Sequence, residues 1–350
     1  MRLCGKREPD GSVDWVTVGT LSAACIFTAA KLARRLARPK LDLKQKVVLI
    51  TGGSRGLGLS LAFELGSLGS YLALCARDVH ELEKARSRLA ERGIDAAIFP
   101  CDISEESEIE PLVARVLDRF GRIDVLINNA GHISVAPLES LQHSDFERAM
   151  KVMFWAPANL TLAVLPHMKQ RGGGHIVDIT SVGGRVSIPH LLPYCCAKFA
   201  FVAFSKGLGA ELDAHRIRVL TVVPGLMRTG SYLNAKFEGL AEREFAWFAL
   251  LGNLPGFSVA ASYASRCIVK SLQHNRRTCT ISLPAKVLIA GDALLPEMTQ
   301  SVLAAVNRYL LPGAGGRIQP ASGKMLNISF NKFFQTFTSL GKTAAHELNE

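Results

Sequence analysis

The 350-residue chain is 48% hydrophobic and 20% charged, ordinary proportions for a globular protein, and long enough for one large α/β domain with material left at both ends. Its formal net charge of +11 would suit a nucleic-acid binder, but no nucleic-acid motif accompanies the basic residues. Eight cysteines, at 4, 25, 75, 101, 195, 196, 267 and 279, form no C-x-x-C pair and no His/Cys cluster at zinc spacing, which argues against a structural metal site and fits a reducing compartment.

Trp15 to Ala30 carries no charge. As a helix it would be about 24 Å long, short of a hydrocarbon core of roughly 30 Å. Leu32 and Ala33 extend its apolar length, and Lys31 can snorkel. Lys31, Arg34, Arg35, Arg38, Lys40, Lys44 and Lys46 crowd the stretch that follows, with Asp42 as the sole acid. An anionic membrane surface accounts for that cluster. Charge after the apolar run, rather than before it, argues against a signal peptide and puts residues 31 onward in the cytoplasm. Residues 1–43 thus read as a membrane anchor and basic linker. A peripheral or disordered arm on a soluble cytoplasmic protein is the other reading.

The apolar run Val47-Val48-Leu49-Ile50 reads as a short buried strand, with a helix from Leu59 to Leu68. Between them stands Thr51-Gly52-Gly53-Ser54-Arg55-Gly56-Leu57-Gly58. Glycines at 52, 56 and 58 permit a tight turn, close backbone approach to a pyrophosphate and close helix packing. Further strands are predicted at 71–76, 96–99, 123–127, 175–180, 217–223 and near 278–282. Helices are predicted near 78–92, 105–119, 144–171 and 193–214. Such alternation implies a Rossmann-type doubly wound α/β fold, a parallel sheet of about seven strands flanked by helices. Ligands in such sheets bind outside the carboxyl ends of the strands.

Tyr194 and Lys198 stand four residues apart, one helical turn, so both project from one helix face. Ser181 lies thirteen residues upstream of the tyrosine. A phenol beside an ammonium is expected to have its pKa of about 10 lowered, giving an acid that works near neutral pH.

With these motifs in order, the chain resembles the classical short-chain dehydrogenase/reductase family over residues 44–282. The resemblance is carried by Thr51–Gly58, Cys101-Asp102-Ile103, Asn128-Asn129-Ala130-Gly131, Ser181, Tyr194-x-x-x-Lys198 and Pro224-Gly225-x-x-x-Thr229. It implies a cofactor site formed by Gly52, Ser54, Arg55, Gly56, Leu57, Gly58, Arg77, Asp102, Ile103, Asn129, Ala130, Gly131, Tyr194, Lys198, Pro224, Gly225, Met227 and Thr229. Asp102 and the Ile103 backbone are expected at the adenine, Asn129 to Gly131 at the ribose, the Met227 backbone at the carboxamide and Thr229 at the phosphates. Asn128 is expected to stabilise the sheet.

An NAD-selective site would close the second strand with an acid; here Ala76 closes it and Arg77 follows. Arg77 and Arg55 converging on a 2′-phosphate favour NADP(H) over NAD(H), with Asp78 as a shifted ribose acid the rival reading. The resemblance implies hydride transfer between nicotinamide and a carbonyl carbon. Tyr194 exchanges the proton, Ser181 orients the oxygen, and Lys198 holds the ribose and tunes the phenol. Met153 departs from the family, standing where an asparagine usually positions a proton-relay water; a thioether is only a weak acceptor.

After Thr229, a lid over about 226–257 carries Tyr232, Phe237, Phe245, Trp247, Phe248, Leu250, Leu251, Leu254 and Phe257. These suit an apolar pocket for a lipid-like substrate, or equally a lid helix packing its own face. Residues 283–350 form a C-terminal extension, with one or two helices over 284–312, a Pro-Gly break, and an aromatic-rich stretch over 325–340. The family pattern implies a homodimer or homotetramer. Two other functions stay open: a weakly catalytic NADP(H)-binding sensor or scaffold, suggested by Met153, and isomerase or dehydratase chemistry on the same scaffold.

Overall fold

Two apolar runs without charge, VVLIT and YLALCA, are buried on both faces, as strands in a helix-covered parallel sheet must be. They are β1 (Val47–Thr51) and β2 (Tyr71–Ala76), joined by α1 (Gly56–Ser67). The computed structural model describes residues 40–313, 315, 317–326 and 339–350. The apolar run from Trp15 to Ala30, most of its basic flank, and Ile328, Phe330, Phe333, Phe334 and Phe337 lie outside the described residues. Among the described residues no helix is long and apolar enough to cross a membrane.

The alternation continues through α2 (Val79–Ala90), β3 (Ala96–Pro100), α3 (Ile109–Phe120) and β4 (Val125–Asn128). A two-residue strand β5 (Ser134–Val135) precedes α4 (His143–Met150), a single π-turn over Lys151–Trp155, and α5 (Ala156–Gln170). Next come β6 (Gly174–Ile179), α6 (Leu192–Glu211), β7 (Ile217–Pro224) and β8 (Leu226–Arg228). The order of the main sheet is β11-β7-β6-β4-β1-β2-β3, all parallel, where β11 is Thr278–Ile281. The seven-stranded doubly wound sheet is thus as the sequence predicts. The order reverses between β1 and β4, so the glycine turn after β1 and the Asn128–Gly131 turn after β4 flank one crevice.

The region after Thr229 is built from β9 (Lys236–Gly239), α7 (Ala241–Asn253), β10 (Ser258–Ala260) and α8 (Ala261–Gln273). Phe237, Phe245 and Phe248 pack edge-on in a closed cluster with Tyr232, Leu191 and Cys195. Phe237 and Phe245 are fully buried. Of the two readings of the lid aromatics, the geometry therefore favours a lid packing its own core.

The extension begins with α9 (Leu283–Leu294) and α10 (Pro296–Tyr309). It then returns as β12 (Arg317–Ser322), antiparallel to β9 in a small sheet β12-β9-β5, followed by α11 (Gly323–Leu326) and α12 (Ser339–Glu347). Residues 42–350 cluster as one compact unit.

Candidate active site

The glycine turn is held by the lack of side chains. Gly52 and Gly56 adopt φ of +62° and +55°, where other residues are strained. A Cβ at Gly58 would lie 2.1 Å from the Gly52 carbonyl oxygen, so only glycine lets α1 start this close to β1. The facing turn is tied to it: Asn129 Nδ2 donates to the carbonyls of Thr51 and Gly52 at 2.9 and 3.1 Å. Backbone N–H groups of Asn129 and Ala130 donate to Thr51 Oγ1 at 2.9 and 3.1 Å. This cradle at a helix N-terminus fits a dinucleotide. Asn128 instead points inward, donating to Asp178 Oδ1 at 2.8 Å and Thr161 Oγ1 at 3.0 Å, and so ties β4 to β6 and α5.

The two arginines read as 2′-phosphate ligands each face a carboxylate already. Arg55 Nη1 donates to Glu81 Oε1 at 2.8 Å and to Asn234 Oδ1 at 3.3 Å, while Ser54 Oγ donates to Glu81 Oε2 at 3.3 Å. Arg77, 71% exposed, lies 3.7 Å from Asp102. Burial works to raise the Asp102 pKa, but hydrogen bonds from Ser104 and the Arg77 charge outweigh it and hold it low. Asp78 caps α2, accepting from the N–H groups of His80 and Glu81, which occupies the carboxylate read as a shifted ribose acid.

Pro224 ends β7, and the Gly225 N–H donates to the Ile281 carbonyl at 3.1 Å. Met227 pairs with Val259 in the two-stranded β8–β10 sheet, and buried Thr229 accepts from the Ser231 N–H at 3.2 Å. Ile103 is buried in the core beneath β3 and α3.

Ser181 stands two residues past β6, its Oγ accepting from the Gly183 N–H at 3.0 Å. Tyr194 and Lys198 lie in the first two turns of α6. Lys198 is buried, and its Nζ donates to the Ile179 carbonyl at 2.9 Å, 5.9 Å from the Tyr194 ring centre. The three residues therefore gather where β6 ends and α6 begins.

Their electrostatics differ from expectation. Burial pushes the Tyr194 phenol up to about 12, and the Ser181 hydroxyl only partly offsets this. Burial pushes Lys198 down to about 8, while the Asp178 carboxylate pulls it back up. Burial thus outweighs the hydrogen bond from Ser181 and the phenol is raised rather than lowered, while the Lys198 ammonium is directed at the Ile179 carbonyl. Asp178 itself is pushed up to about 6 by burial, against the hydrogen bond from Asn128 and the Lys198 charge. Asp178 carried no sequence signal, since an acid inside a strand reads as an outward-facing residue.

Met153 is 1% exposed and packs with Ala149, Ala197 and Tyr194. It sits inside the π-turn, a feature often found at functional sites. A small cleft beside it is lined by His132, Ser134, Asp145, Arg148 and Tyr194. His132 Nε2 has no hydrogen-bond partner there, and burial, with help from Lys236, pushes the ring down to about 4, so it is neutral at pH 7. Ala149, Met153 and Pro193 complete the lining, so polar and apolar side chains share the cleft. The lid is tied to the segment before α6 by a buried contact also missed in sequence. Glu244 of α7 meets His190 Nδ1 at 2.8 Å and accepts from Trp247 Nε1 at 2.7 Å. Among the described residues no group of three or more His, Cys, Asp or Glu is placed to hold a metal.

A family model described as short chain dehydrogenase matches residues 46–236. The fatty acyl-CoA reductase of Acinetobacter baylyi is 36% identical over 190 residues, covering 54% of this chain and 64% of that protein, less than two thirds of its length. The crystal structure of a short-chain dehydrogenase from Streptomyces avermitilis aligns with a TM-score of 0.65 at 27% identity, covering 76% of this chain and 98% of the other. A metagenomic short-chain oxidoreductase in complex with NADP aligns with a TM-score of 0.51 at 33% identity, covering 53% and 84%.

Proposed function

The chain belongs to the short-chain dehydrogenase/reductase family, an oxidoreductase on a Rossmann-type sheet, and from that premise we propose that it interconverts a carbonyl and an alcohol on an apolar, lipid-like substrate with NADP(H). One observation carries the reading: Ser181, Tyr194 and Lys198 gather at the carboxyl end of β6, on the side of the sheet where the glycine turn opens. Gly52, Gly56 and Gly58 would hold a nicotinamide cofactor at that turn, and the cofactor would supply or accept the hydride. Tyr194 then holds the proton that passes to or from the substrate oxygen, and Ser181 donates a hydrogen bond to that oxygen. Lys198, nearly neutralisable at about 8, holds the ribose and returns the proton to solvent.

The choice of NADP(H) is supported by Arg55 and Arg77 beside the end of β2 and by the NADP complex of the metagenomic relative. A lipid-like substrate is supported by the Acinetobacter relative, named for an acyl-CoA. Pairing into a homodimer or homotetramer through α5 and α6 is supported by the exposure of Leu162 and Phe199 on those helices. Membrane attachment through residues 1–43 rests on their composition. The test is NADPH consumption against a panel of apolar ketones, aldehydes and acyl thioesters. Turnover that disappears in Tyr194→Phe supports the reading, and turnover that persists in that variant removes it.

A further inference from the structure

The segment from Ser339 to Glu350 lies against the glycine turn. The Leu348 carbonyl accepts from the Gly56 N–H at 2.8 Å, the first donor of α1 and one that a phosphate would use. Asn349 Nδ2 donates to the Ser54 carbonyl at 3.1 Å. The Glu350 carboxylate reaches Arg55 Nε at 4.0 Å and accepts from Asn234 Nδ2. Its side chain is only 6% exposed. Across the crevice, Ala345 and Glu350 pack on Gly230 so closely that a Cβ there would fall 2.5 Å from Ala345 Cβ. Arg88 of α2 donates to the His346 carbonyl, fastening the far side of the segment. Four parts of the chain thus hold it: the turn at 54–56, Arg88, the 230–234 loop, and Asn253, whose Oδ1 stands 1.8 Å from where a Gly341 Cβ would lie.

We propose that residues 339–350 are an intramolecular ligand of the dinucleotide groove, one that competes with the cofactor for the phosphate end of the site. A backbone carbonyl takes the Gly56 donor, and a carboxylate faces the guanidinium that the 2′-phosphate would meet. Glu350 fills the space beside Arg55, where Glu81 already stands, so a 2′-phosphate and the docked segment cannot both face that guanidinium. The free cofactor then sees only molecules whose segment is released, and its apparent affinity is the intrinsic affinity multiplied by the released fraction. This rests on the dinucleotide reading of the glycine turn.

The test uses the full chain and two variants, Ala345→Trp, which cannot fit against Gly230, and Glu350→Ala. NADPH binding is measured by fluorescence titration, with hydrogen exchange of residues 341–350 followed with and without saturating NADPH. Competition predicts binding tightened by about threefold or more in both variants, and loss of amide protection in the segment when NADPH binds to the native chain. Unchanged or weaker binding in the variants, or a segment that gains protection with NADPH, overturns the inference and leaves the dinucleotide reading standing. Folded protein that binds no NADPH in any form overturns both.

Discussion

Lys198 Nζ donates to the carbonyl oxygen of Ile179 at 2.9 Å, so the ammonium of the Y-x-x-x-K pair is anchored to the end of β6, two residues before Ser181. Its other electrostatic partner is buried Asp178 on the same strand. Asparagine in place of Asp178 removes the charge that holds the Lys198 pKa up, so the lysine falls further below about 8. The limb of the kcat/KM profile that reports Lys198 should move to lower pH by about half a unit or more. A limb that stays in place would show that Asp178 serves only the sheet, through Asn128.

Met153→Asn should raise kcat by restoring a group that can hold a relay water beside the lysine. The cost is a polar amide inside the cluster of Ala149, Ala197 and Tyr194, about 1–3 kcal/mol if it finds no partner. The variant is therefore expected to melt lower and turn over faster. An unchanged or lower kcat would mean that protons leave by another route.

Arg55 is shared between Glu81 and the cofactor it is expected to bind. Arg55→Ala should lower the NADPH-to-NADH ratio of kcat/KM by about tenfold or more, the scale of a charged hydrogen bond. Glu81→Gln, which frees the guanidinium, should raise it. Ratios that do not move would assign the preference to Arg77 alone.

Burial pushes the Glu350 carboxyl up to about 7 from an ordinary 4.5, against the charges of Arg55 and Lys324 and the hydrogen bond from Asn234, and with help from Glu81. The docked group binds its proton more tightly than the released one. Docking is therefore strongest below about 4.5 and weakens as pH rises through about 7. Relative to Glu350→Gln, the native chain should gain NADPH affinity between pH 6 and pH 8. Parallel curves for the two proteins would remove Glu350 from the competition.

The seven-stranded sheet was legible because most of its strands are short, largely apolar runs, with a turn signal at the carboxyl end as at VVLIT followed by Gly52 and VLIN followed by Asn129. The gathering of Ser181, Tyr194 and Lys198 was legible from spacing, since one helical turn fixes Tyr194 and Lys198 and the strand end fixes Ser181. What escaped depends on contacts distant in sequence. The sheet of β5, β9 and β12 joins strands of two, four and six residues separated by some two hundred positions, with no local pattern. The contact of Glu350 with Arg55, and the direction of the Lys198 ammonium, are likewise set by tertiary packing. The lid aromatics showed their hydrophobicity in sequence but left open whether they meet a pocket or one another; Phe237 and Phe245 meet each other.

The central claim is tested most directly by single-turnover transfer of deuterium from 4-deuterated NADPH to a carbonyl substrate, in the native chain and in Tyr194→Phe. The account predicts label on the product carbon in the native chain and a rate at least about a hundredfold lower in the variant, with NADPH still bound. Equal rates in the two proteins would contradict it.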